Sequence, residues 1–476
     1  MLLLWEVFIL HRIWQKGLKY AVVFALGYQG ARLIGRQFIK NTVQNTLKTL
    51  ITDPYDENLW ELVSSTNRST PQVIVETNLR AVEGKVIERP LGTNKKFPSL
   101  DQLMFSIGQF HAMPTPLETP VDTQVIIGKR CKRPLIIDIP IMVSAMAYGE
   151  ALSEKAKIAL AKGAAMAGTA INSGEGPFLM AERKAASKFI FQYNRGNWSK
   201  EPAILQQADA IEIQFGQGAI GGTGHKLDSS KIDRALRKGF GLIPGQDAIV
   251  SSRQPEVNHP SELPKLVQKL KGIAGDIPIG AKIGAGKHLE KDLEWLAAAD
   301  MDFVTVESGE GATKGSAPIL QDDFGVPSIF AINRAANYLR KHNLQDRVSL
   351  VAAGKMRTPG DVLKALALGA DAVYVGTMAL FAVSHAQSIK AMPFEPPTQL
   401  VWYDGKYQKK FNVNAGAKSL ANFLTSCNAE IIEGIRALGK TSIKEVNKED
   451  LFALDDLTAR GIEVPMAYEE YSPDLR

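Results

Sequence analysis

Two glycine turns late in the chain carry the residue types that grip an anion. The first is Ala353-Gly354-Lys355-Met356-Arg357-Thr358 and the second Gly376-Thr377. Glycine has no Cβ, so its backbone N–H approaches a phosphate closely, and helix N-termini expected near Pro359 and Thr377 add partial positive charge. Two such turns in succession point to a bound phosphate group; the alternative is a pair of tight strand-to-helix turns, which also favour glycine. Cysteine chemistry is sparse. Only Cys131 and Cys427 occur, so this chain offers no disulfide framework and no multi-cysteine metal site, and no metal is assigned. The pair fits a reducing compartment. His385, beside apolar residues, reads more readily as a packed histidine than as a catalytic one.

The elements that position these turns are legible as short apolar runs alternating with helical stretches. The runs are Leu135–Ser144, Thr169–Asn172, Phe189–Tyr193, Ala210–Phe215, Ile277–Ile283, Asp302–Val306, Val348–Ala352 and Ala372–Val375. Helical patterns such as Ser153–Ala167, Leu263–Lys271, Leu289–Ala298 and Asp361–Leu368 separate them. Eight buried strands separated by helices predict an α/β fold, a (β/α)8 TIM barrel, whose chemistry lies at the carboxyl ends of the strands and whose phosphate sites follow strands seven and eight. The 476 residues, 45% apolar and 22% charged, supply a sizeable core and exclude disordered, collagenous and disulfide-scaffold classes. Residues 51–130 carry Pro54, Pro71, Pro90, Pro98, Pro114, Pro116 and Pro120 and read as an irregular extension. The barrel is expected over 131–390. A C-terminal extension over 391–476 reads as helical over Ala415–Leu438 and then Leu451–Asp456, with Cys427 in its buried core.

The net charge of +6 is concentrated in residues 1–50. Arg12, Lys16, Lys19, Arg32, Arg36, Lys40 and Lys48 stand there against Glu6 alone, so the head carries the whole excess. A neutral body argues against a nucleic-acid-binding surface. Leu2–Leu10 and Tyr20–Tyr28 are each too short to span a bilayer. The trios Arg12, Lys16, Lys19 and Arg32, Arg36, Lys40 each fall on one helical face. Residues 1–40 are therefore expected to lie on a membrane surface, at its cytoplasmic side, as a peripheral helix or a single N-terminal anchor. The alternative is a soluble helix packed on the body or on another subunit, in a cytoplasmic protein.

Five motifs in order across Ser144–Thr377 resemble the FMN-binding synthase domain of glutamate synthases, in particular its stand-alone members. They are Tyr148-Gly149-Glu150-Ala151-Leu152-Ser153, Asn172-Ser173-Gly174-Glu175-Gly176, Gln217-Gly218-Ala219, Glu310 to Pro318, and Leu350 to Thr377. The resemblance implies FMN over the barrel mouth. It assigns the phosphate to Gly354, Lys355, Gly376 and Thr377, and the ring face to Ser144 and Ala145. Asn172 and Gln217 are placed toward ring carbonyls and nitrogens, and Ser308, Gly309 and Gly311 near the ribityl chain. Lys282, in Gly-Ala-Lys-Ile-Gly, is implied to stabilise negative charge on the reduced flavin; a salt bridge across the barrel rim is its plainer role. Glu175 is implied to hold ammonium or shuttle its proton, or else to bond backbone N–H groups in its turn.

The pattern breaks in two places. Where the family has Lys-Pro-Gly-Glu-Gly-Gly-Gln after Gln-Gly-Ala, this chain has Ile220-Gly221-Gly222-Thr223-Gly224-His225-Lys226. Isoleucine cannot hold a 2-oxoglutarate carboxylate; Lys226 is the candidate replacement, unless it and His225 merely face solvent. The segment Phe381–Gln387 contains no cysteine, so no iron–sulfur cluster is expected, and no glutaminase domain is expected ahead of the barrel. These features predict an FMN-dependent oxidoreductase resembling the glutamate synthase core, acting on a small amino, imino or keto acid (a CH–NH2 donor) with an unknown electron donor. Two alternatives remain open: a non-catalytic or electron-transfer flavoprotein subunit at a membrane, and a 2-hydroxy-acid oxidase-like FMN enzyme.

Overall fold

The computed structural model describes residues 2–58 and 60–470, with side chains described from residue 26 onward. The chain divides into two compact units, Met1–Ile87 and Glu88–Arg476. In the first, α1 (Leu2–Thr52) is one uninterrupted helix of 51 residues, with no proline before Pro54 to break it. Two further helices, α2 (Trp60–Ser69) and α3 (Pro71–Glu83), follow. Thr70 caps α3, Pro71 opens it, and Gly84 closes it in the left-handed region. The segment expected to be irregular is thus partly helical, because its prolines fall at helix ends. Arg12, Lys16 and Lys19 lie outside the described side chains. Arg32, Arg36 and Lys40 are exposed, as are Leu33, Ile34 and Phe38. Among the described residues no helix is long and apolar enough to cross a membrane.

The second unit holds a closed barrel of eight parallel strands, so the TIM-barrel expectation is met. Strand β1 (Ile141–Val143) leads to α4 (Glu154–Met166), β2 (Ala170–Asn172) to α5 (Met180–Ala185), and β3 (Lys188–Tyr193) to α6 (Pro202–Leu205). Strand β4 (Ala210–Gln214) is followed by α7 (Arg234–Phe240) and α8 (Leu263–Ala274), and β5 (Ile279–Gly284) by α9 (Leu289–Ala298). Strand β6 (Phe303–Glu307) precedes α10 (Pro318–Asp322) and α11 (Ser328–Lys341); β7 (Ser349–Ala353) precedes α12 (Pro359–Ala367), and β8 (Ala372–Val375) precedes α13 (Thr377–Ser384). Pairing of β8 with β1 and of β4 with β5 completes the ring. Each strand is covered by helices outside and side chains inside, which is why its sequence reads as a continuous apolar run.

The first expected strand is two. Leu135–Ile137 pairs antiparallel with Val125–Ile127, and only Ile141–Val143 enters the barrel; Pro140, with no N–H to give, separates them. A second correction concerns the tail. Leu451–Ala453 is a strand antiparallel to Leu103–Phe105, and the helix comes later, as α16 (Asp456–Ile462). Between barrel and tail lie α14 (Pro396–Leu400) and α15 (Val413–Ala437). Helix α15 packs on α4 and α13. It comes so close that a Cβ on Gly163 would sit 2.8 Å from Leu420 Cδ2, and one on Gly416 2.9 Å from Val383 O. Cys131 and Cys427 are buried and free; burial pushes their thiols up to about 12 and about 11.

Candidate active site at the barrel mouth

Strands β7 and β8 pair with Ala353 opposite Tyr374, so Gly354 and Gly376 end neighbouring strands. Their surroundings differ. Gly354 has φ +106°, and a Cβ there would overlap Ser308 Oγ, so this glycine serves close packing between the ends of β6 and β7. Ser308 Oγ lies 2.9 Å from Ser328 Oγ, and Ser328 donates to Glu310 Oε2 at 2.7 Å. The ammonium of Lys355 is paired with Glu310 Oε1 at 3.0 Å. Gly376 is open by comparison: the nearest atom to a Cβ there is Ser144 Cβ at 3.7 Å. Helix α13 starts on Gly376 with no capping side chain, leaving its first-turn N–H groups for an external acceptor. The other expected anion site, at the start of α12, is closed by its own residues. Thr358 and Asp361 form a capping box there, and Arg357 pairs with Asp361.

Inside the barrel, polar residues around Glu212 form a hydrogen-bonded layer beneath the mouth. Glu212 Oε1 accepts from Asn172 Nδ2 and Gln192 Nε2, each at 2.9 Å, and Oε2 accepts from Thr305 Oγ1 at 2.7 Å. Asn172 also bonds Tyr374 Oη at 3.1 Å and accepts from Gly174 N at 3.0 Å. Fully buried and fully paired, Asn172 is placed by the structure below the rim, with no free donor for a ring above. Burial and Glu212 hold the Tyr374 phenol protonated far above its ordinary range. Lys282, buried, meets Glu307 Oε2 at 2.8 Å, the plainer of its two expected roles. Burial alone would depress its pKa; Glu307, Glu212 and Glu175 reverse that and hold the ammonium charged above the ordinary lysine range. Beside it in register lies Gln214, whose buried Oε1 has no hydrogen-bond partner.

Ser144 and Ala145 are half-buried at the end of β1, and Ser144 N donates to Val375 O at 3.0 Å. Gln217 and Gly309 line a cavity of about 330 Å³ together with Gly218, Ala285, Glu307 and Phe324. This cavity opens beside β4, β5 and β6, away from the β7–β8 turns. Gly311 packs so closely on Glu307 that a Cβ would come within 2.6 Å of its carboxylate.

Glu175 joins a group that the residue pattern left scattered. Its Oε2 accepts from Gln214 Nε2 at 2.7 Å, while Oε1 lies 3.6 Å from His225 Nε2. Glu150 Oε2 lies at the same 3.6 Å from that nitrogen. The two carboxylates raise the His225 imidazole to about 9 against the opposing effect of its partial burial. Burial, with the like charge of Glu175, raises Glu150. Lys226 does not replace the family's lysine. On the ribbon His225–Leu227, paired with Ala248–Val250, alternate side chains face opposite ways: His225 meets the glutamates, and Lys226 turns out to Asp247 at 2.9 Å. Ile220 is buried. Arg195, buried, holds the intervening loop by donating to Gly222 O at 2.8 Å and Thr223 O at 3.3 Å. His385 is exposed. Neither Glu150, within the Tyr148-Gly149-Glu150-Ala151-Leu152-Ser153 motif, nor Arg195 was singled out by the residue pattern.

Residues 86–441 match the model for the conserved region in glutamate synthase. A glutamate synthase large subunit-like protein of Rhizobium meliloti is 31% identical over 424 residues, covering 84% of this chain and 94% of that one. An archaeal-type glutamate synthase (NADPH) of Dehalococcoides mccartyi is 30% identical over 398 residues, 79% of each chain. Among solved structures, a mutant flavocytochrome b2 with benzoylformate superposes with a TM-score of 0.50 at 18% identity, over 80% of this chain and 86% of that one, a likeness of fold alone. The extent of the family match and the coverage of these relatives establish that the chain belongs to the glutamate synthase family.

Proposed function

We propose that this chain is an FMN-dependent oxidoreductase of the glutamate synthase type, acting on an amino acid or its imino or keto counterpart. The observation that carries the reading is the pairing, on one barrel rim, of an uncapped helix N-terminus beside an open glycine at Gly376 with a buried lysine ammonium and an orphaned amide oxygen at Lys282 and Gln214. That donor and acceptor set fits FMN: the α13 amides and Thr377 suit its phosphate, Lys282 its electron-rich pyrimidine side, and Gln214 Oε1 a ring N–H. Bound there, FMN supplies hydride transfer to or from the substrate carbon. Ser144 and Ala145 leave room for a flat ring because their side chains are small. Glu175, held by Gln214, is proposed to keep a proton or an ammonium ion at the mouth.

Loss of the family's substrate lysine at Ile220 supports an acid bound otherwise than 2-oxoglutarate is in the family. With no cysteine in Phe381–Gln387, electrons are assigned to a separate donor and no iron–sulfur cluster is proposed. A membrane surface is the partner proposed for α1, supported by exposed Arg32, Arg36 and Lys40 beside exposed Leu33 and Phe38. Anaerobic mixing of the flavin-loaded protein with panels of amino acids and 2-hydroxy acids tests the activity. Bleaching of the flavin by an amino acid is expected; bleaching by 2-hydroxy acids alone, or by neither panel, contradicts it.

A further inference from the structure

Glu150, Glu175 and His225 come from the loops after β1, β2 and β4, and offer ligand atoms that all lie within 4.8 Å of one another. Both glutamates stand 3.6 Å from His225 Nε2, too far for a good N–H···O bond. Zinc bonds nitrogen and carboxylate oxygen at about 2.0–2.2 Å in a tetrahedral array, which sets ligand atoms about 3.3–3.6 Å apart. The two histidine–glutamate separations are those of a tetrahedron's edge. Glu150 supplies a second, independent pointer. Its side chain is 10% exposed, Oε1 is buried without a hydrogen-bond partner, and its one ionic neighbour within 4 Å among the described residues is His225. A carboxylate oxygen withdrawn from water to that degree and given no donor is costly unless something else satisfies it.

We propose that these three residues form a binding site for a divalent transition-metal ion, with Zn2+ the best match in ligand type and spacing. One imidazole and two carboxylates suit Zn2+ and need no thiolate. The supports for the ligands are in place. Gln214 fixes Glu175 through Oε2 and leaves Oε1 directed at the cluster, as outer-shell partners do at metal sites. The β-ribbon and Arg195 fix the backbone that carries His225. Among the described residues Glu150 is tied through its carboxylate to His225 alone, with Oε1 left without a partner, so the carboxylate is free to turn toward the other two ligands. His225 is partly exposed, which leaves the fourth coordination position to water or a substrate atom. If the proposed function also holds, and only then, the ion restores on this loop the positive charge that Ile220 removes, and the carboxylate of an amino or keto acid is its natural ligand.

The test uses the full-length protein, stripped with a chelator and equilibrated with Zn2+ alone. One zinc per chain is expected, with a zinc-edge X-ray absorption spectrum showing one imidazole and oxygen ligands and no sulfur. Glu150→Gln and His225→Gln should each weaken binding by at least about 100-fold, more than loss of an outer-shell partner costs. Failure to bind one equivalent, binding by both variants as tight as wild type, or a spectrum with sulfur or without imidazole overturns the site. If a variant does not fold, the wild-type spectrum decides. Flavin content of the same samples is read separately, so the flavin assignment and the metal site stand or fall apart.

Discussion

Lys157 provides a demanding test of how the mouth is built. It lies on α4, fully buried, with its ammonium 2.8 Å from Glu182 Oε1 on α5. The same nitrogen donates to Met146 O at 2.6 Å and Ser173 O at 2.9 Å. Those carbonyls belong to the loops after β1 and β2, which carry Ser144–Glu150 and Ser173–Glu175. Lys157→Met removes the shared cation. Breaking a buried pair costs about 3–5 kcal/mol, and each carbonyl left dry about 1–3 kcal/mol. Burial has already raised Glu182 to about 7, so it escapes part of the penalty by taking a proton, and the net loss is expected toward the lower end of the sum of about 5–11 kcal/mol. In Lys157→Met with Glu182→Met the ion pair is gone altogether, leaving about 2–6 kcal/mol for the two carbonyls. Urea unfolding near neutral pH measures both, with the slope unchanged if the native state keeps its extent. Both variants should also lose flavin, because the loops move together. A single variant within about 1 kcal/mol of wild type, or a double variant no better than the single, refutes the reasoning.

Glu182 itself gives a pH signature. Its folded pKa of about 7 exceeds the ordinary 4.5, so between these values the folded chain holds a proton that the unfolded chain has lost. Its contribution is therefore largest below pH 4.5 and falls as pH rises toward 7, by about 3 kcal/mol. The stability difference between wild type and Glu182→Gln should shrink by that amount over this window, and a constant difference contradicts it. Lys282→Met leaves Glu307 and Glu212 without their cation; at least a tenfold weaker hold on FMN, or a lower flavin potential, is expected, and unchanged titration and potentiometry remove Lys282 from the site. Gly354→Ala forces a left-handed alanine onto Ser308 and should cost about 2–5 kcal/mol by urea unfolding, partly regained with Ser308→Ala; a neutral Gly354→Ala contradicts the packing described. Vesicles containing anionic lipid should sediment the protein in a salt-sensitive way, at about 1 kcal/mol per cation, and glutamate at Arg32, Arg36 and Lys40 should abolish it; equal sedimentation by neutral vesicles contradicts a surface role for α1.

The barrel was legible because its strands are hidden on both sides. Ala210–Gln214 reads as a strand despite Glu212, since one charged residue among apolar ones is tolerated where Asn172, Gln192 and Thr305 satisfy it. The break in Leu135–Ser144 was marked by Pro140 but overridden by the length of the apolar run. Side-chain direction was less legible. His225 and Lys226 are neighbours in sequence, and only the ribbon's pleat decides that the histidine faces in and the lysine out. Asn172 is expected toward the ring by motif, yet at the end of its strand it turns into the barrel, to Glu212. Lys157 left no trace, because a lysine on an amphipathic helix is read as solvent-facing; its burial follows from how α4 lies against α5 and α15. The anion turns divided for a similarly local reason. Thr358 and Asp361 cap one helix from within, whereas no side chain caps the helix that begins after Gly376.

The most direct measurement is mass spectrometry of the small molecule released from native, full-length protein, with titration of FMN into any apoprotein. One FMN per chain is the predicted result, with binding lost when bulk is placed at Gly376, as in Gly376→Val. Protein that carries no flavin and takes up none, or that holds FMN equally well with valine at position 376, contradicts the account.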